Sequence, residues 1–126
     1  MPKHFVLAAI ALTLISGSAA FAAGDAEKGG KVFLKCKACH ENEKGVSRVG
    51  PTLKGIVGRA TASVEGYKYS DAMAAKGAGG LVWTEENLAA YLPDPKAFVP
   101  GTKMAFAGLK KPDEVADIIA YLKAHP

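Results

Sequence analysis

Cys36, Cys39 and His40 are the residues of this chain best equipped for chemistry, and their spacing says which chemistry. They stand as Cys36-Lys37-Ala38-Cys39-His40 and include both cysteines of the 126-residue sequence. C-x-x-C-H is the attachment signature of a c-type haem. Two thiols three positions apart reach the two vinyl groups on one edge of a porphyrin and become thioethers. The residue after them is then held under the ring, where its imidazole can bind iron. Two rival uses fit less well. A thioredoxin-like redox pair sits in a βαβ pattern, and none is visible. A structural zinc site needs four nitrogen or sulfur ligands, and only His4 and His125 remain, with no second cysteine pair.

An iron held by His40 has one more axial position. Met73, Met104 and His125 are the candidates, with lysines as weaker donors. His125 is next to the C-terminus, where fraying is expected. Met73 lies among alanines in a helical stretch, where methionine usually fills core space. Met104 follows Pro100-Gly101-Thr102-Lys103, an irregular backbone able to lie against a flat ring. The residues rank Met104 first and leave the others open.

These groups need elements to position them. Asp25 to Lys35 reads as a first helix, with Asp25 and Glu27 in its first turn as the helix dipole favours. Gly29 and Gly30 are poor helix formers, and close approach of another helix would explain them. From His40 to Glu65 the chain shows little periodicity and frequent glycine, which reads as long loops wrapped on something. A short helix over Tyr69 to Lys76 is expected to end at Gly77. Thr84 is an N-cap candidate for a helix from Glu85 to Leu92, and Pro93 and Pro95 stop it. A short turn follows to Phe98. Proline opens the last helix, from Pro112 to Ala124, and Val115, Ile118, Ile119 and Leu122 form its apolar stripe. No stretch reads as a convincing strand.

Before this domain comes a targeting segment. Lys3 and His4 precede an apolar run from Phe5 to Ile15, and Ala20-Phe21-Ala22 fits an A-x-A cleavage site. Residues 1–22 are therefore expected to be a cleaved signal peptide, and residues 23–126 one small domain. The apolar run is shorter than the ~17–25 residues that span a bilayer. Export suits a c-type haem, which is attached outside the cytoplasm. The formal net charge is +4, and loss of Lys3 lowers it by one. That is weak for nucleic-acid binding, yet enough for a lysine patch to steer an acidic partner. So small a domain has a modest core, and a buried porphyrin would supply apolar contact that the apo chain lacks.

The mature chain resembles class I c-type cytochromes, close to bacterial cytochrome c2 and mitochondrial cytochrome c. The resemblance rests on Gly24-Asp25-Ala26-Glu27-Lys28-Gly29, Cys36 to His40, Gly50-Pro51-Thr52-Leu53, Gly58-Arg59, Tyr67 to Asp71, Leu81-Val82-Trp83-Thr84, Tyr91-Leu92, Pro100 to Gly108 and Ile119 to Lys123. It implies an all-α cytochrome c fold. The N- and C-terminal helices would pack across each other, with shorter helices and long loops around one covalent haem. His40 and Met104 would be the axial ligands, and the Pro51 carbonyl would accept the other ring N–H of His40. Arg59, Tyr69 and Trp83, with Tyr67, would bind a buried propionate. Tyr91 and Thr102 would lie near Met104, Phe106 by the haem edge, and Gly29 and Phe33 against Tyr121 and Leu122. The chain departs from mitochondrial cytochromes in a longer, glycine-richer Ala74 to Gly80 and in Met73, where those carry asparagine.

The resemblance implies a non-enzymatic periplasmic carrier of single electrons, a monomer that is not embedded in the membrane. Its expected partners are a bc1-type donor and an oxidase or photosynthetic reaction centre as acceptor. They would dock at a haem edge flanked by Lys31, Lys35, Lys37, Lys96, Lys103, Lys110 and Lys111. Two alternatives stand beside this. One is a ligand-binding or catalytic haem protein with an open sixth position, and the other is a fixed subunit of a larger enzyme.

Overall fold

The computed structural model describes residues 23–126, so the expected signal peptide lies outside the described residues. The first helix starts where a carboxylate can satisfy its free amides. Asp25 accepts from the N–H groups of Glu27 and Lys28, and α1 runs Ala26–Val32 before tightening into a 3-10 turn over Phe33–Lys35. That turn delivers the chain directly to Cys36.

α1 packs on the last helix, α5 (Pro112–Lys123). The predicted stripe of Val115, Ile118, Ile119 and Leu122 is buried, together with Val32 and Phe33. Gly29 is the crossing point. A Cβ there would overlap the Asp117 carbonyl oxygen and lie 2.6 Å from Tyr121 Cβ. Gly30 meets only the Tyr121 ring, at ordinary contact distance. Phe33 and Tyr121 stack with centroids 5.1 Å apart. The Asp25 amide also donates to Asp117 Oδ1 at 2.8 Å.

The shorter helices lie between. α2 spans Asp71–Ala78, two residues later than the sequence suggests at both ends. It starts there because Ser70 Oγ accepts from the Met73 amide, which leaves Tyr69 in the preceding loop. It continues through Gly77 because a bare glycine lets it pass Thr61, whose carbonyl oxygen would be 2.5 Å from a Cβ. Thr84 caps α3 (Glu85–Tyr91), with Leu92 as its C-cap. Asp94 caps the single turn of α4 (Pro95–Phe98). Ala60 and Val82 make one isolated antiparallel bridge, and no strand forms among the described residues. Among those residues no helix is long and apolar enough to cross a membrane.

Candidate haem site

The turn over Cys36 to Cys39 is closed by amides of Cys39 and His40 on the Cys36 carbonyl. Cys36 is half-buried and Cys39 exposed, and the two are not bonded to each other. Burial pushes the Cys36 thiol up, against the pull of Lys35. Among the described residues no group of three or more His, Cys, Asp or Glu could hold a metal ion, so these residues offer zinc no ligand set.

His40 is fixed from two sides. Its Nδ1–H donates to the Pro51 carbonyl at 2.7 Å, the bond that the resemblance implies. That assigns the tautomer and leaves Nε2 as a lone-pair donor. Burial, with Arg59 nearby, holds the imidazole below its ordinary value against the pull of Pro51, so it is neutral at neutral pH. Gly50 forms the wall behind the ring, and a Cβ there would lie 2.6 Å from Nδ1. In the sequence Gly50 is one of the loop glycines and part of the Gly50-Pro51-Thr52-Leu53 stretch, with no role of its own. Its place beside Pro51 is the available signal, because a proline carbonyl can reach an imidazole only if the residue before it stays clear.

Met104 gathers a second group. The Tyr91 hydroxyl donates to Met104 Sδ at 3.5 Å, and the Met104 amide donates to Thr102 Oγ1 at 3.2 Å. Burial lifts the Tyr91 phenol to about 12, so it remains a proton donor at neutral pH. Trp83 and Tyr91 pack with centroids 4.8 Å apart, and Phe98 closes the cluster. Met73 is half-buried against the same core.

Arg59 joins the two groups. Its carbonyl flanks the Ala60–Val82 bridge, where it accepts from the Trp83 amide at 2.9 Å, while its own amide donates to the Ile56 carbonyl. Its guanidinium donates to the carbonyls of Lys54 and Thr52, and burial lowers its pKa against the pull of neighbouring Tyr69. The Tyr69 hydroxyl accepts from the Val64 amide, which leaves its own proton free to donate. Tyr67 spends its proton on the Val49 carbonyl.

All seven lysines of the expected docking edge are exposed, but three have internal partners. Lys35 pairs with Glu114 at 3.1 Å, Lys110 donates to the Pro93 carbonyl, and Lys103 donates to the Lys68 carbonyl while lying over the Tyr67 ring.

These residues fit a c-type haem. Two unpaired thiols precede a neutral, oriented imidazole, a thioether is held by a phenol, and a half-buried guanidinium lies near Tyr69, whose hydroxyl proton is free. Comparison with known proteins agrees. The family model described as Cytochrome c matches residues 26–126. Cytochrome c-550 of Nitrobacter winogradskyi is 51% identical over 100 residues, covering 79% of this chain and 89% of that protein. Cytochrome c2 of Rhodomicrobium vannielii is 45% identical over 121 residues, covering 95% of this chain and 94% of that one. The solved structure of cytochrome cH from Methylobacterium extorquens superposes with a TM-score of 0.73 at 51% identity, covering 80% of this chain and 99% of that one.

Proposed function

The chain belongs to the cytochrome c family, electron-transfer proteins with covalent haem c, and from that premise we propose a soluble, exported one-electron carrier whose iron is held by His40 and Met104. Bound through Cys36 and Cys39, the haem supplies one-electron exchange between Fe(III) and Fe(II). The protein's part is to hold both ligands still. Pro51 orients His40 and strengthens it as a donor, and Met104, a soft ligand, favours Fe(II). Arg59, Tyr69 and the Trp83 N–H hold a propionate. Trp83, Tyr91 and Phe98 exclude water from the Met104 side.

The observation that carries this reading is the Tyr91 hydroxyl on Met104 Sδ at 3.5 Å, with the Met104 amide on Thr102. A thioether held in this way is built to stay, which suits a carrier better than a site that admits ligands. The test is a spectrum of oxidised and reduced protein with and without carbon monoxide. The oxidised wild type is expected to show a methionine-to-iron charge-transfer band that Met104→Ala loses. The reduced wild type is expected to bind carbon monoxide slowly. Rapid binding by the wild type would overturn the closed site and favour a ligand-binding haem protein.

The remaining features complete the proposal. Residues 1–22 are removed on export, and the domain from Ala23 works in the periplasm as a monomer. It takes electrons from a bc1-type complex and passes them to an oxidase or photosynthetic reaction centre. Docking uses the lysine-rich edge, where complementary charge raises the association rate more than the affinity.

A further inference from the structure

We infer that Glu41 is a positioning residue for His40, acting through the loop that carries Pro51. The inference rests on the proposed ligation by His40 and concerns what holds that ligand. Proline has no N–H, so Pro51 cannot anchor itself by a backbone donor. Its carbonyl is held in place by its neighbours. The Gly50 amide donates to the Cys39 carbonyl at 2.9 Å, and the Leu53 amide to the Glu41 carbonyl at 2.8 Å. The loop is thus closed onto the two residues that flank His40.

Thr52, between Pro51 and Leu53, is fixed by the Glu41 side chain. Its hydroxyl donates to Glu41 Oε1 at 2.6 Å and is 3.3 Å from the Glu41 carbonyl. The same carboxylate accepts from the amides of Glu43 (3.0 Å), Lys44 (2.7 Å) and Val46 (2.7 Å). Four donors converge on one side chain, so it folds the outgoing turn and grips the returning strand of the loop together. Hydrogen bonds to a charged acceptor are about twice as strong as neutral ones. If that grip loosens, the Pro51 carbonyl moves away from His40 Nδ1, and the imidazole becomes a poorer donor to iron.

The test compares holoproteins carrying Glu41→Gln, Glu43→Gln and Thr52→Val. Glu43 gives the cage only its backbone amide and its side chain is exposed, so its variant removes the same charge and leaves every donor to Glu41 in place. An amide cannot accept from all four donors. Exchange of the Lys44 and Val46 amides is therefore expected to rise at least about tenfold in Glu41→Gln and to stay unchanged in Glu43→Gln. The reduction potential is expected to rise further in Glu41→Gln than in Glu43→Gln, and the His40 Nδ1–H resonance to shift only in the former. Thr52→Val keeps every charge and is expected to move potential and resonance in the same direction by less. Its result decides the matter if Glu41→Gln yields no holoprotein. Equal potentials in the two glutamine variants, or an unmoved His40 resonance in Thr52→Val, would overturn the inference. A wild type without covalent haem would instead sink the electron-carrier proposal, and its spectrum shows that before any variant is made.

Discussion

Gly50 walls the His40 ring, and Glu41, in the role proposed for it, holds the loop that orients that ring. Alanine at position 50 would place a methyl group against the imidazole, 2.6 Å from Nδ1 and closer to Cε1. Gly50→Ala is therefore expected to tilt or displace the ring and to lower the yield of holoprotein with its native spectrum. The yield of covalent haem after co-expression with the attachment machinery checks this, and a wild-type yield and spectrum would refute it. Glu41 adds a pH dependence. Its carboxyl falls from 4.5 to about 2, chiefly through the Thr52 hydroxyl. A depressed carboxyl stabilises the fold above its unfolded value, and that contribution is lost as pH falls toward the folded value. The Tm gap between wild type and Glu41→Gln is expected to be full above about pH 5 and to close as pH approaches 2. A gap independent of pH would argue against the cage.

At the scale of elements, the crossing of α1 and α5 makes a sharper demand than either helix alone. Gly29→Ala would press a methyl into the Asp117 carbonyl, and overpacking of that kind costs about 1–3 kcal/mol or more. Gly30→Ala meets only the Tyr121 ring, 3.5 Å away, and replaces a poor helix former with a good one, a gain of roughly 0.5–1 kcal/mol. The two variants are expected to move Tm in opposite directions, and shifts of the same sign would reject this account of the crossing. Much here was legible in the sequence. Thr84 caps where its side chain says it should, because capping is local, whereas Asp25, which the sequence puts in the first turn, stands one residue outside α1 as its N-cap. The α5 stripe is buried because a helical period reports its own face. The start of α2 was misplaced because Tyr69 suits a helix until Ser70 takes the cap. Its run through Gly77 depends on Thr61, sixteen residues back, which no local pattern reports. The Glu41 cage was missed for the same reason, since its donors are ordinary amides brought round by a loop.

At the scale of the molecule, the seven lysines of the proposed docking edge are all exposed, as is Cys39. Three of them also hold the fold together through Glu114, Pro93 and Lys68. An exposed ion pair such as Lys35–Glu114 is worth ~0–1 kcal/mol, so it leaves a lysine able to face a partner. Electron transfer to an acidic redox protein is expected to slow steeply as salt rises from about 0.01 to 0.15 M, where the screening length shrinks from roughly 30 to 8 Å. Lys37→Glu and Lys96→Glu should flatten that dependence. A rate indifferent to salt would rule out charge-guided docking.

The bond from the Asp25 amide to Asp117 joins residues 92 positions apart. The first helix of the domain thus finds its partner in α5, at the far end of the long stretch of chain between them. Any stretch that holds α1 without α5 lacks this contact, and closing so long a loop must precede any gain from it. The α1–α5 crossing therefore cannot form until all of the chain between the two helices is available to close on itself.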